Sequence, residues 1–338
     1  MNAREGDLIR TESNIIFDVK GTVHPPDKII AFPRFIPQAD GARKSERGNY
    51  GKVYSLSDRF RYLQEHHPDL VVFDRVYGET LCEVPVEQIA EVYHPQDKLA
   101  QLREAQTLSP LEHKALNLAM ELKEKSGIPW SAIGVSGSIM AGLSTSTSDI
   151  DPLVYGAENS QKAYRALMEL RGTESSGFTS YTQTEHKALY DFRVKDTQMS
   201  FDDFRLVESR KAFQGMYMGV DYFIRFLKDW DETSERYGEV TYQNSGYLKI
   251  QATVEDAKEA LFTPCTYELR DVEVLDGSDL TPISEISSFR GRFCMQAQKG
   301  EKIEAQGKAE LVTNKKTGSK HYRLILGNKP QDYMILLH

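Results

Sequence analysis

Hydrophobic positions in the first hundred residues occur in short runs, as is typical of β-strands. Turn-forming residues, including Gly21 and the Pro25-Pro26 pair, separate these runs. The runs that predict strands are residues 8–9, 15–17, 29–32 and 70–73. Residues 41–52 are rich in glycine and charge without hydrophobic periodicity, and they predict a mobile surface loop. With a helix over residues 57–65, this pattern indicates a small α+β module over residues 1–95.

The clearest helix signal extends from Ser109 to Ser126. Ser109 is suited to the N-cap, Glu112 completes a capping box, and Gly127 supplies the stop. The apolar side chains recur at helical spacing, namely at Leu111, Ala115, Leu118, Ala119 and Leu122. This helix belongs to a central domain that we expect over residues 96–237.

From residue 238 onward the hydrophobic pattern is that of β-strands. The runs that predict strands are residues 247–254, 266–275, 291–297 and 321–326. Turn signals at 244–246 and 316–318 punctuate them. We therefore expect a C-terminal antiparallel β barrel or sandwich over residues 238–338. The predicted fold class is α+β.

Composition is that of an ordinary globular protein, with 40% hydrophobic and 27% charged residues in a chain of 338. The longest apolar runs are far shorter than the roughly 20 residues of a membrane span, and the first residues lack the apolar stretch of a secretory signal. Three widely separated cysteines favour neither a disulfide framework nor a zinc site. These features predict a cytoplasmic protein without a membrane partner.

The formal net charge of −8 conceals an uneven distribution. Residues 286–338 contain 10 Lys and Arg against 4 Asp and Glu, so this basic segment has a net charge of +6 and the remainder −14. Such asymmetry is typical of a module that faces a polyanion. It is also typical of a β-surface whose lysines protect sheet edges and solubility. RNA or DNA is therefore a candidate partner of the basic segment.

The strongest chemical signal lies in residues 133–156. A short buried strand over residues 133–135 ends in Ser136-Gly137-Ser138, and helical spacing follows. Free backbone N–H groups at such a turn, together with the Ser138 hydroxyl, form a cradle for phosphate oxygens. Gly137 allows the backbone to approach a phosphate closely. Ser136, Gly137 and Ser138 are therefore candidate phosphate-binding residues.

A second strand follows and contains Asp149-Ile150-Asp151. Alternate side chains of a strand share one face, so Asp149 and Asp151 point the same way while Ile150 packs inward. Two carboxylates at this spacing form a hard-oxygen site suited to Mg²⁺. Without a cation the pair would repel, which implies a bound metal.

In this order, the strand, the glycine-serine turn, the helix and the acidic pair resemble the signature of the DNA polymerase β superfamily of nucleotidyltransferases. That signature is a glycine-serine pair, about ten residues, and a paired acidic motif with hydrophobic flanks. Here residues 139–148 are the ten that separate Ser138 from Asp149. The resemblance covers roughly residues 133–221, and the flanking regions are similar to archaeal proteins with this domain. It implies a central mixed sheet with helices.

The superfamily uses a third carboxylate on a neighbouring strand, for which the sequence has four candidates. We select Asp221, because aromatic and β-branched residues follow a glycine there as in a strand. Asp202 and Asp203 lie in a segment of helical or loop character, and Glu239 is a further alternative.

The resemblance implies a nucleoside triphosphate (NTP) substrate and two Mg²⁺ ions held by Asp149, Asp151 and Asp221. The ions would activate the incoming hydroxyl and stabilise the leaving pyrophosphate, and Asp221 could help to remove the hydroxyl proton. Three cations between the motifs are candidates to neutralise phosphates, or are simply a solvated helix face: Arg205, Arg210 and Lys211.

The function that follows is transfer of a nucleoside monophosphate (NMP) from an NTP to a hydroxyl acceptor, with release of pyrophosphate. RNA or DNA is slightly favoured as acceptor because of the basic segment, while a small-molecule alcohol and a protein hydroxyl stay open. The alternative is a protein of this fold that binds nucleotide or nucleic acid without turnover. A sensor needs only the phosphate cradle, whereas this chain keeps both Asp149 and Asp151.

Overall fold

The computed structural model describes residues 2–337 and has two compact units. The first unit contains the residues up to 72 with residues 82–180 and 212–234. The second contains residues 73–81 and 181–211 and the residues from 235 onward. Both units combine helices with sheets, so the predicted α+β class is confirmed. None of the helices within residues 2–337 has the length and apolarity that crossing a membrane requires.

The first unit contains most of the helices. Its strands are β1 (Leu8–Thr11), β2 (Ile16–Val19), β3 (Lys28–Pro37), β4 (Arg43–Ser45), β5 (Gly48–Lys52), β8 (Ile89–Tyr93), β9 (Ile133–Val135), β10 (Pro152–Tyr155), β11 (Phe178–Thr179), β12 (Gln214–Tyr217), β13 (Val220–Phe223) and β14 (Arg225–Leu227). Its helices are α1 (Leu56–His66), α2 (Pro95–Glu104), α3 (Pro110–Ser126), α4 (Gly137–Met140) and α5 (Ala157–Leu170). Two strands, β6 (Val71–Asp74) and β7 (Glu79–Pro85), contain residues of both units.

An N-terminal sheet has the strand order β4-β5-β3-β2-β1-β8, and β7 also pairs with β3. The prediction of a loop at 41–52 was wrong, because β4 and β5 form a hairpin there. Tyr50 is 2% exposed and packs with Phe35 of β3, whose strand pairs with β5. A hairpin with one apolar anchor has no alternating pattern, so its sequence gave no strand signal.

The predicted helix at Ser109–Ser126 is confirmed as α3. Ser109 and Glu112 form the capping box, and Gly127 ends the helix with φ +70°. The buried side chains include four of the five predicted positions, Ala115, Leu118, Ala119 and Leu122. Local capping chemistry thus determines both ends of this helix.

A small central sheet positions the glycine-serine turn and the acidic pair. Its order is β14-β10-β9, with β9 antiparallel and β14 parallel to β10. Helix α4 follows β9 directly, and its Met140 packs with Leu143 against Leu8, Ile16 and Phe35 of the N-terminal sheet. A second three-stranded sheet, β11-β12-β13, is antiparallel.

The second unit consists mainly of one curled six-stranded sheet. Its elements are α6 (Gln183–Arg193), α7 (Phe201–Glu208), β15 (Val240–Asp256), β16 (Cys265–Asp276), β17 (Ile283–Ser288), β18 (Lys302–Asn314), β19 (Lys320–Ile325) and β20 (Tyr333–Leu336). The order is β15-β16-β17-β19-β18-β20, and β15 also pairs with β18. The β17–β19 pair is parallel and the others are antiparallel. A curled sheet is therefore present in the predicted β-rich region, but the expectation that it is antiparallel throughout was wrong, because β17 and β19 pair in parallel.

Two local predictions in the second unit were wrong. The stretch 291–297 is a 3₁₀ turn (Gly291–Phe293) and coil, although its apolar Phe293 and Ala297 are buried as in a strand. Residues 244–246 do not end a strand but lie inside β15, where the register shifts and Gly246 adopts φ +112°. A glycine-containing bulge and a turn have the same local sequence preference.

Candidate functional site

The Ser136-Gly137-Ser138 turn joins β9 to α4. Gly137 adopts φ +64°, a left-handed conformation that favours glycine. A Cβ atom at this position would lie 1.9 Å from Oδ2 of Asp151. The backbone of the turn therefore lies directly against the Asp151 carboxylate, and a larger residue at 137 would displace it.

Ile150 lies between Asp149 and Asp151, and its backbone pairs with β13, the strand that contains Asp221. The Ile150 N–H donates to the Asp221 carbonyl at 2.9 Å, and the Phe223 N–H donates to the Ile150 carbonyl at 3.0 Å. This parallel bridge places the backbone of Asp149 opposite that of Asp221. Asp149 and Asp151 lie immediately before β10, so the strand predicted to contain them begins only at Pro152, and Asp221 lies within β13.

The other candidates for the third carboxylate lie in the second unit. Asp202 and Asp203 occupy the first turn of α7, where acidic side chains favour a helix N-terminus. Glu239 lies in the turn immediately before β15. Asp221 is thus the candidate on the strand next to the acidic pair, Asp149 and Asp151.

The environment of Asp151 disfavours its ionised form. Burial, and then the neighbouring Asp149 carboxylate, raise the pKa of Asp151 to about 6, while Arg225, Arg34 and Lys52 act in the opposite direction. A divalent cation between the two carboxylates would relieve this repulsion. Two hard oxygen donors in contact with a glycine turn fit Mg²⁺. Within residues 2–337, no three His, Cys, Asp or Glu side chains converge on a single point as metal ligands.

Arg225 is held beside this site by a network of alternating charges. It donates to Glu5 at 3.0 Å, and Glu5 also accepts from Lys20 at 3.0 Å. Lys20 lies 2.9 Å from Asp18. Although burial opposes the shift, Lys20 and Arg225 hold the pKa of Asp18 well below its usual range. This network joins strand β14, which contains Arg225, to the N-terminal residues of the first unit.

The two serines of the turn have different surroundings. The Ser136 hydroxyl donates to the Gly6 carbonyl at 2.7 Å, so its proton is engaged in the fold. The Ser138 side chain is 2% exposed, and its Oγ has no hydrogen-bond partner among the residues that the structure describes. A buried hydroxyl of this kind is costly unless something binds it. Ser138 is therefore the better candidate for contact with a phosphate oxygen.

The three cations selected between the motifs lie in the second unit. Arg205 is exposed on α7. Arg210 forms a bidentate ion pair with Glu301, at 2.7 and 3.0 Å. Lys211 is buried and ion-paired with Glu208 at 2.5 Å. Arg210 and Lys211 thus have carboxylate partners of their own, and none of the three belongs to the unit that contains the glycine-serine turn.

Sequence reasoning missed two cations that act on Asp151, namely Arg34 in β3 and Lys52 at the end of β5. Their charged atoms lie near the Tyr54 ring, with the Arg34 Cζ 5.7 Å and the Lys52 Nζ 4.7 Å from its centroid. Arg34 is the one charged residue within the apolar run 29–36. The sequence signal for Arg34 was a single charge within a run of apolar residues. Lys52 had no such signal, because it lay in the stretch that was interpreted as a loop.

The basic segment 286–338 has two kinds of cation. Arg290 and Arg292 contact Asp196, at 3.3 and 3.4 Å respectively. Burial and the neighbouring Arg290 and Arg193 lower the pKa of Arg292 to about 10. Three lysines at the turn between β18 and β19 are instead exposed: Lys315, Lys316 and Lys320. A polyanion contact in this segment would therefore involve the lysines.

Comparison with known proteins gives one informative similarity. The chain is 29% identical over 336 residues to a protein of Methanocaldococcus jannaschii named "Uncharacterized protein MJ1086". The alignment covers 97% of this chain and 96% of that protein, so the similarity extends through both units. No protein-family model and no solved structure matches the chain.

Proposed function

We propose that the first unit is a Mg²⁺-dependent nucleotidyltransferase that transfers an NMP from an NTP to a hydroxyl acceptor. The observation that supports this proposal most is the register of Ile150 with the Asp221 strand, which brings the backbone of the acidic pair next to that of Asp221. The acidic pair lies beside a glycine-serine turn, and Asp151 is in contact with that turn. Paired carboxylates next to a phosphate cradle are the elements that phosphoryl transfer requires.

In the proposed reaction, the acceptor hydroxyl attacks the α-phosphorus of the NTP. The bond from that phosphorus to the bridging oxygen breaks, and pyrophosphate leaves with the electron pair. Asp221 accepts the hydroxyl proton, and the Ser138 hydroxyl donates to a phosphate oxygen. Asp149 and Asp151 would hold Mg²⁺, which supplies electrostatic stabilisation of the negative charge that develops on phosphate oxygens.

A nucleotide-binding protein without turnover is the second candidate. It is favoured by the absence, among residues 2–337, of three side chains that converge as ligands of one ion. Asp221 is exposed, as a carboxylate without a catalytic role commonly is. Measurement of turnover distinguishes the two candidates directly.

RNA or DNA is the acceptor that the second unit favours. Strand β15 pairs with both β16 and β18, β16 pairs with β17, and β18 pairs with β19. The parallel pair β17–β19 closes the cycle. This is the strand order of OB-folds, barrels that bind oligonucleotides in many proteins. The exposed lysines of the β18–β19 turn add positive charge. Small-molecule and protein acceptors are alternatives.

The proposal is tested by incubating the pure protein with each radiolabelled NTP, Mg²⁺ and total cellular RNA, DNA oligonucleotides or no added acceptor. Label in an acceptor, together with released pyrophosphate, supports a transferase. Binding of NTP without label transfer under every condition favours the non-catalytic alternative. The comparison variant is Asp151→Asn, which keeps the size of the side chain and removes its charge.

A further inference from the structure

The cation pair of the first unit, Arg34 and Lys52, lies on neighbouring strands of the N-terminal sheet. Strands β3 and β5 pair with Phe35 opposite Lys52, and the Val53 N–H donates to the Arg34 carbonyl at 3.0 Å. Both side chains are half-buried. Their backbone positions are therefore fixed by hydrogen bonds, while their charges lie within electrostatic range of Asp151.

The cation pair differs from Arg225, the other cation that acts on Asp151, in having no ion pair. Arg225 donates to Glu5. Within residues 2–337, neither Arg34 nor Lys52 has a carboxylate at ion-pair distance. A half-buried cation without a carboxylate has lost hydration without recovering it from the protein, and an anionic ligand would restore the balance.

Tyr54 gives the cation pair a common platform. Its side chain is 50% exposed, and the ring faces both charges at 4.7 and 5.7 Å. The negative face of an aromatic ring attracts a cation, weakly at an exposed site. That attraction orients Arg34 and Lys52 without neutralising them, so their full charge is available to a ligand.

We infer that Arg34 and Lys52 bind the polyphosphate chain of the nucleotide, with Tyr54 as the positioning residue that holds both. This inference rests on the proposed function and assigns the phosphates to the N-terminal sheet instead of to Arg205, Arg210 and Lys211. A triphosphate that approaches two carboxylates is repelled unless cations compensate. The fork of Arg34 suits two phosphate oxygens at once, and Lys52 acts as a point charge.

The experiment measures binding of Mg²⁺-tripolyphosphate and of non-hydrolysable NTP analogues by calorimetry. The test protein is the Arg34→Gln/Lys52→Gln double variant. A matched control, Lys44→Gln/Arg61→Gln, also removes one lysine and one arginine charge, but from exposed positions of the first unit. A third protein, Arg34→Lys/Lys52→Arg, keeps both positive charges and exchanges the two side-chain types between the positions.

We expect the double variant to lose about 100-fold in affinity for both probes, or about tenfold per charge-assisted contact. The control should stay within about threefold of the wild type by the same scale. The charge-retaining protein should lose less than the double variant. Tripolyphosphate contains no base, so a parallel loss for both probes assigns the effect to the phosphates. Melting temperatures accompany each measurement, and if the double variant does not fold, Lys52→Gln alone is measured.

Full affinity of a folded double variant would overturn the inference while leaving the proposed function in place, and so would an equal loss in the control. If the wild type binds neither probe, both the inference and the proposed function fail. A loss for NTP analogues without a loss for tripolyphosphate would also contradict the inference, since it would assign the cations to the base or sugar.

Discussion

Each unit has a cluster of charges in its interior, and the two clusters differ in how those charges are matched. In the second unit Lys211 is 1% exposed and donates to Glu208 and to Gln296. Arg193 donates to the same Glu208 at 2.6 Å. Burial lowers the pKa of Lys211, and Glu208 opposes that shift. Every charge named here has an opposite charge within reach, as a structural ion-pair network requires.

The cluster of the first unit is arranged in the opposite way. Asp149 and Asp151 place like charges side by side, and Arg34 and Lys52 lie nearby without ion pairs within residues 2–337. Such an arrangement costs stability in the absence of a ligand, whereas in the second cluster opposite charges offset one another. This difference helps to locate a functional site, because charges that lack an opposite partner in a well-packed unit indicate a site that is completed by a ligand.

Replacing Asp151 should have the largest effect on activity and almost none on folding. Asp151→Asn removes a metal ligand, so turnover should fall by about 1,000-fold or more, which is about 4 kcal/mol in the barrier. Without Mg²⁺ the variant should unfold at the wild-type temperature or above, because repulsion from Asp149 is gone. Asp202→Asn in α7 is the control and should retain turnover. A fully active Asp151→Asn protein would remove the basis for a catalytic site here.

Replacing Glu208 should have the reverse profile. Glu208→Gln leaves Lys211 and Arg193 buried together without their carboxylate, and the free energy of unfolding should fall by about 3 kcal/mol. Urea denaturation measures this loss. Glu273→Gln on exposed β16 is the control, with an expected change below about 0.5 kcal/mol. A loss below about 1 kcal/mol for Glu208→Gln would mean that the matched cluster is not structural.

The elements that the sequence predicted well depend on local rules. Helix α3 has its caps and stop within its own residues, and the glycine-serine turn and the acidic pair lie only ten residues apart. Asp221 was selected on the hydrophobic character of its flanks, and the structure places it on the strand beside Ile150. Each of these inferences needed fewer than twenty consecutive residues of context.

The features that sequence reasoning missed depend on contacts between distant residues. Tyr50 is buried by Phe35, and Arg34 and Lys52 meet only because β3 and β5 pair. Arg205, Arg210 and Lys211 were chosen because they lie between the motifs. Residues 181–211, however, leave the first unit and join the second. Proximity in the chain was therefore misleading at the point where the chain changes units.

The pH dependence of stability tests whether the charged form of Asp151 destabilises the first unit. The pKa of Asp151 is about 6 in the folded protein, above its ordinary value of 3.8. The folded state then binds this proton more tightly than the unfolded state does. Without Mg²⁺, stability should therefore fall as pH rises from about 4 to about 6, by about 2 kcal/mol relative to Asp151→Asn. Parallel curves for the two proteins would contradict the raised pKa of Asp151.

The exposed lysines of the second unit are a third arrangement, with charges that are neither matched nor buried. If Lys315, Lys316 and Lys320 contact a single-stranded acceptor, each neutralised phosphate contributes about −0.7 to the slope of log affinity against log salt concentration. Replacing all three with Gln should flatten the slope by about 2 and leave the affinity for NTP unchanged.

The control replaces three other exposed lysines of the same unit: Lys299, Lys302 and Lys329. An equal slope change in both triple variants would mean that net charge alone, and not the β18–β19 turn, attracts the oligonucleotide. No oligonucleotide binding by the wild type would instead favour a small-molecule or protein acceptor.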